Sequence, residues 1–195
     1  MKDVYESCPE FEDGTWLLRF VRKEDADDLL AVYGDRNALP FFNSDNCHGD
    51  NFYYNTKEKM DKAIDFWLYS YGQKYFVRWA VIDKLAGKAV GTIEMFRRPA
   101  GADFGVVGLI RLDVASAYEK AEPLKEILSL IIPPAFGMFD CGEIISKVPI
   151  YAVERAEAFA GCGFTKTSSC LIGGNDGYAY NGYWSLRKKR DTRAV

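Results

Sequence analysis

The chain has 195 residues, 48% hydrophobic and 15% aromatic, enough to bury one sizeable core. Its formal charge of −3 excludes a global basic field that would recruit nucleic acid or an anionic membrane. No apolar run approaches membrane-spanning length, and the opening MKDVYESCPEFEDG has no signal-peptide core, so a cytoplasmic protein is expected. The cysteines at positions 8, 47, 141, 162 and 170 form neither a disulfide ladder nor a zinc spacing. With no linker, low-complexity tract or repeat, one domain over 1–195 is expected: a core at 16–188, an N-terminal extension 1–15 and a basic tail 187–195.

Trp16 to Arg22 is a short β-type run after the Asp13-Gly14 turn signal. Lys23 to Tyr33 places Ala26, Leu29, Leu30 and Tyr33 at helical spacing, with acids in the first turn and Gly34 as the stop. Residues 37–55 are irregular and rich in aromatics. Thr56 then caps a helix to Tyr71, with Met60, Ile64, Trp67, Leu68 and Tyr71 on one face. Tyr75 to Ile82 and Lys88 to Phe96 flank DKLAGK as a β-hairpin, and Gly87 suits a left-handed position.

Gly105 to Val114 is a third strand beside that hairpin. Pro123 to about Ile132 is a helix that Pro133-Pro134 should end or kink. Glu143 to Val148 reads as a strand, and Pro149 to Ala160 as a helix stopped by Gly161-Cys162-Gly163-Phe164. Lys166 to Ile172 and Tyr178 to Leu186 read as a last pair of strands. Strands that alternate with helices only in the second half imply a mixed sheet covered on both faces.

That order, together with LRFVRKEDADDLLAVYGD, AVIDKLAGKAVGTIEMF, LDVASAYEKAEPLKEIL and ERAEAFAGCGFTKTS, resembles the GNAT superfamily of acetyl-CoA-dependent N-acetyltransferases. Within it the chain is most similar to the ribosomal-protein N-acetyltransferase branch. The resemblance implies an α/β (α+β) fold: a mixed, mostly antiparallel twisted sheet of about seven strands flanked by about four helices. It also implies acetyl-CoA as co-substrate, direct attack by a small-molecule or peptide amine acceptor, and no metal. A second copy of the chain is a partner it leaves open.

In the family, the strand matching Gly105–Val114 ends in a splay whose backbone pairs with the pantetheine arm, and an elbow of the form Q/R-x-x-G-x-G/A holds the pyrophosphate. Leu112, Asp113 and Val114 match the splay; Glu119, Lys120, Ala121, Glu122 and Leu124 match the elbow. Glu119 stands where Arg is usual, and Lys120, Glu122 and Leu124 stand at the usual glycines. Pro123 has no amide to offer, and each carboxylate would repel a nearby diphosphate by about 1 kcal/mol at high effective dielectric. The same residues also read as an ordinary helix N-terminus.

The family's acid, a Tyr four residues before the GF glycine, falls on Phe159, and the Asn that often opens that helix falls on Ala152. A glutamate base near the strand's start would fall on Val106-Val107-Gly108, with Asp103 the nearest acid upstream. Glu94, Asp113, Tyr118 and Tyr151 are the remaining candidates for proton transfer. Asp45-Asn46-Cys47-His48-Gly49-Asp50 holds the only histidine but lacks a second ligand pair, so no metal is expected there. Phe41, Phe42, Phe52, Tyr53 and Tyr54 are placed to line an acceptor pocket, or to pack under a long loop. Two functions stay open: an acyl-CoA-dependent N-acetyltransferase with an atypical elbow, or a catalytically silent GNAT-fold module that binds another ligand or partner.

Overall fold

The structure, a computed structural model, describes residues 3–101 and 103–189; the end of the basic tail, 190–195, lies outside it. Strands β1 (Phe11–Glu12) and β2 (Trp16–Phe20) lead into a 3-10 turn at Lys23–Asp25 and helix α1 (Ala26–Tyr33). Helix α2 (Lys57–Gly72) is capped by Thr56, whose side chain accepts from the Lys59 amide. Strands β3 (Val77–Asp83), β4 (Lys88–Pro99) and β5 (Val106–Val114) follow, then α3 (Ala121–Met138), β6 (Glu143–Lys147) and α4 (Val153–Gly161). Four short strands close the chain: β7 (Thr165–Lys166), β8 (Leu171–Ile172), β9 (Ala179–Tyr180) and β10 (Tyr183–Arg187).

The main sheet has eight strands in the order β1-β2-β3-β4-β5-β6-β10-β7, antiparallel except where β5 meets β6. Gly87 takes φ +66 in the hairpin turn, as its position requires. The period-2 alternation of the central strands sorts their side chains between two helix layers. Val77, Trp79 and Val81, Ile93 and Met95, and Ile110, Leu112 and Val114 join the core beneath α3 and α4. Ala80 and Ala89 join the core formed with α1 and α2.

Three expectations are corrected. Helix α3 continues through Pro133 and Pro134 to Met138 rather than stopping at them. Its buried stripe continues past the prolines to Ala135, whereas Pro133 and Pro134 lie on the outer side. The carbonyls they leave unpaired, on Ser129 and Leu130, therefore belong to an exposed and a half-buried residue, within reach of water. Helix α4 starts at Val153 and not Pro149, so Ile150 and Tyr151 sit exposed in a turn before it. The last two strands are broken: β7 pairs with β10 at the sheet edge, while β8 and β9 form a separate ribbon. Residues before Trp16 also contribute to the core, since Val4 is buried and the Pro9 carbonyl accepts from Trp79 Nε1.

Leu128→Ala in α3 is expected to cost about 2–5 kcal/mol of stability. Pro133→Ala on the outer side should instead gain about 2–2.5 kcal/mol, the helix-interior penalty of ~3 kcal/mol less the ~0.4–1 kcal/mol of restored unfolded-chain entropy. Urea denaturation of the two variants checks the opposite signs.

Candidate functional site

The other face of the central strands carries a buried polar layer where an apolar one would be the default. Arg78 of β3, Glu94 of β4 and Arg111 of β5 are direct cross-strand partners, which puts them in one row. Arg78 Nη2 donates to Glu94 Oε2, and Arg111 Nη1 donates to Glu94 Oε1 at 2.6 Å. All three are buried. Behind the row, Arg78 Nη1 donates at 2.9 Å to both Thr92 Oγ1 and the Tyr33 hydroxyl, which itself donates to Asp113 Oδ2 at 3.1 Å. The Arg78 guanidinium stacks on Trp67 with its carbon 4.1 Å from the ring centroid, and Arg111 lies over Phe96 at 5.4 Å.

The two carboxyls of this layer are pushed in opposite directions. Burial alone would raise Glu94, but the two guanidiniums outweigh it and hold the group below its ordinary range. Burial wins at Asp113, which rises despite Arg78 at 3.7 Å. Glu94 thus adds stability above the unfolded carboxylate pKa, and that contribution fades as pH falls through its folded pKa. For Asp113 the unfolded chain gives up its proton first, so stability declines as pH climbs from 3.8 toward the folded pKa.

The row forms the floor of a cavity of about 590 Å³. Phe52, Tyr54, Phe66, Phe76 and Phe96 wall it, and Cys47, His48 and Asp50 stand on the loop side. Residues 37–55 close over it. Arg111 Nη2 donates to the Asp45 carbonyl at 2.8 Å, and Lys147 Nζ reaches both Asp45 carboxylate oxygens at 2.6 Å. Asn175 ties the same loop down from the other side, donating to Asn46 through its amide and its side chain. The loop holds three non-glycine residues at positive φ: Asn46 (60), His48 (53) and Phe52 (62). Phe52 is the costly one, because a bulky side chain rarely adopts that region. Among the described residues no group of three or more His, Cys, Asp or Glu could hold a metal.

A second, smaller cavity of about 290 Å³ lies between the start of α3 and the start of α4. Strands β5 and β6 pair only at Gly108–Ile144 and Leu109–Ile145 and then part. The Ser146 hydroxyl spans the start of the gap, donating to the Ile110 carbonyl at 2.9 Å. Arg155 of α4 fills the rest: its Nη1 donates to the Leu112 carbonyl at 2.8 Å. Its Nε and Nη2 form a two-pronged bond to the Glu119 carboxylate, both at 2.6 Å.

Of the amides behind the gap, those of Glu119, Lys120, Ala121 and Leu124 are likewise engaged. Glu119 N–H bonds Ser116 O, Lys120 N–H bonds Tyr118 O, and Ala121 N–H bonds Glu154 Oε2 at 2.7 Å. The Leu124 amide is taken by the Lys120 carbonyl, and Pro123 has none.

No family sequence model matches the chain, and no curated protein does. Solved structures do. A GNAT-family acetyltransferase from Bacillus anthracis superposes with TM-score 0.65 at 13% identity, covering 92% of this chain and 98% of that one. The ribosomal-protein-S5-alanine acetyltransferase from Vibrio fischeri gives 0.65 at 17%, covering 93% and 98%. The spermidine N-acetyltransferase from Vibrio cholerae, solved with CoA and spermine, gives 0.63 at 10%, covering 90% and 96%. This chain has the GNAT fold.

On that frame, the parting of β5 from β6 falls where the splay is expected, and Glu119 to Leu124 fall where the elbow is expected. The residues present do not fit acetyl-CoA in the family's manner. Arg155 occupies the carbonyl at Leu112, and the Glu119 to Ala121 amides are spent within the chain. Asp113 and Val114 are buried, with the Asp113 side chain turned to Tyr33 on the opposite cavity's side. Lys120 is exposed beside Glu154 at 3.8 Å, and Glu122 is exposed.

The four proton-transfer candidates are scattered rather than gathered. Glu94 is on the large cavity's floor, and Asp113 lies behind it. The Tyr118 hydroxyl donates to Asp83 at 2.9 Å, away from both cavities. Tyr151 borders the small cavity and donates to the Pro40 carbonyl at 2.5 Å. Phe159 packs edge-on against Phe164 at 5.0 Å in the core, so its position is a packing position here. Sequence reasoning missed Arg78, Arg111 and Arg155. The first two carry a signal, a charge in mid-strand among apolar neighbours. Arg155 carries a fainter one, since it falls three after Ala152 and four before Phe159 on the buried side of α4.

Glu94→Gln is expected to cost about 3–5 kcal/mol at pH 7, because it leaves two buried guanidiniums without their carboxylate. Asp113→Asn keeps an acceptor for Tyr33 and removes a poorly solvated charge, so it should change stability by less than about 1 kcal/mol. Denaturant titrations at pH 7 and again below pH 4, where the Glu94 deficit must shrink, test both the ordering and the sign.

Proposed function

We propose that this chain is a GNAT-type acyltransferase that transfers an acyl group to an amine by direct attack, with its donor cleft kept shut by the Arg155–Glu119 pair. The observation that carries the reading is the parting of β5 from β6 within a fold shared over nine-tenths of the chain. The neighbours named for spermidine and for a ribosomal-protein alanine fit an amine acceptor, whether small molecule or peptide. The large cavity, on the other face of β5, is the place for that acceptor. Of the four proposed proton-transfer residues, Glu94 and Tyr151 are the two on a cavity wall. Glu94, held ionised by two guanidiniums that take both of its oxygens, is not placed to take a proton.

The Glu119 to Ala121 amides, spent within the chain, leave a second reading to test, a silent module on the same fold. One titration separates the two. Acetyl-CoA is titrated by calorimetry into the native chain and into the double variant Glu119→Gln/Arg155→Ala, which removes both charges together and frees the Leu112 carbonyl for a ligand donor. Weak binding to the native chain and at least tenfold tighter binding to the variant, about 1.4 kcal/mol, are expected. If millimolar acetyl-CoA yields neither heat nor a melting shift with either folded protein, the acyltransferase reading is withdrawn and the module reading stands.

A further inference from the structure

The floor of the 590 Å³ cavity is unusual in its hydrogen-bond balance. Two guanidiniums share one carboxylate there, and a guanidinium carries more N–H donors than Arg78 and Arg111 spend. Arg78 Nε and Arg111 Nε are both buried with no hydrogen-bond partner. Orphaned donors on two side chains in one row are uncommon in a folded protein, where buried polar groups are nearly always satisfied. The nearest spare carboxylates do not settle the account. The Asp45 carboxylate is committed to Lys147 and the Tyr183 hydroxyl, and Asp50 accepts from the Phe52 amide and the Tyr54 hydroxyl. Asp113 lies behind the row, where Tyr33 and Arg78 hold one oxygen, and its other oxygen has no partner.

The walls above this floor are aromatic. Their cation-binding faces are already partly used, since Arg78 lies over Trp67 and Phe76 and Arg111 over Phe96. A second cation entering the cavity would meet those guanidiniums head on. A planar apolar body would meet Phe52, Phe66 and Phe76 instead, in a space within the range of small-molecule sites.

We infer that this cavity binds a small aromatic carboxylate, with its anionic group at the Arg78–Arg111 floor and its ring between the Phe52 and Phe66 walls. The site does not rest on acyl transfer: it exists on the α1/α2 face of the sheet, while the filled cleft lies between α3 and α4. If the chain does transfer acyl groups, the acceptor carries an amine in addition to the carboxylate.

The test uses the native chain, without any acyl donor, and three probes that differ only in the head group: 3-phenylpropionate, 3-phenylpropionamide and phenethylammonium. Calorimetry and thermal shift should show the carboxylate binding at least tenfold more tightly than the amide, and the ammonium not at all. Phe66→Ala, at an exposed position of α2, should weaken the carboxylate by fivefold or more and leave the melting temperature of the free protein nearly unchanged. Arg111→Gln, if it folds, should abolish the preference for carboxylate over amide. The inference is overturned if the ammonium binds as well as the carboxylate. It is equally overturned if no probe binds at millimolar concentration, or if binding is indifferent to Phe66→Ala. Failure here leaves the acetyl-CoA result untouched, because neither measurement shares a ligand or a variant with the other.

Discussion

The row Arg78–Glu94–Arg111 constrains the rest of the molecule. Three charges in the middle of a sheet would each cost several kcal/mol to bury alone. They are tolerable only because the strand register places them directly opposite one another. A slip of one residue between β3 and β4 would send Arg78 to the opposite face, into the apolar core under α3 and leave Glu94 facing a single partner. The row therefore selects the register of the three central strands as strongly as their apolar residues do. It also dictates what can pack above it. The α1/α2 layer supplies Trp67 as a flat surface for Arg78 and Tyr33 as a hydroxyl for the same guanidinium.

Strand β5 consequently serves two different surroundings along its length. On one side its Arg111 closes the floor of the aromatic cavity, and the next backbone carbonyl, Leu112, opens toward α4. The parting from β6 begins just before this point. A carbonyl freed by a parting strand in the interior must find a donor, and in this chain the donor is a side chain, Arg155. The guanidinium then needs a counter-charge, and Glu119 supplies it at 2.6 Å. A gap that would otherwise admit a ligand is thereby turned into a satisfied internal network.

Much of the architecture was legible in the sequence because it rests on short-range signals. Thr56 as cap, Gly87 at positive φ, and the 2- and 3.6-residue periods led to helices and strands within a few residues of those observed. The failures came where a local rule met a longer-range one. Pro133-Pro134 should break a helix, yet the buried stripe from Leu124 to Ala135 carries α3 past them, with the lost bonds on the wet side. The two long terminal strands dissolved into four because the first is interrupted at 167–170 and the second at Asn181-Gly182, where Gly182 takes φ +84, and alternation alone does not reveal partners. The site was legible only in part. Glu94 and Asp113 stood out as carboxylates, but their meaning depended on Arg78 and Arg111, tens of residues away in sequence and adjacent only through strand register.

Glu119 shows why composition at a motif is an incomplete guide. Set against a diphosphate, its carboxylate is a liability of about 1 kcal/mol. Set against Arg155, the same carboxylate is the required partner of a buried cation whose loss would cost about 3–5 kcal/mol. The second term is larger, so the Glu at this position is explained by Arg155 before any ligand is considered. Neither residue is intelligible alone: Arg155 without Glu119 is an unpaired buried charge, and Glu119 without Arg155 points at an empty gap. Their pairing is also what any donor must undo, since a molecule reaching the Leu112 carbonyl has to displace Arg155 and leave Glu119 to water. Removing both charges at once lifts that opposition without orphaning either group, whereas removing one replaces one obstacle with another.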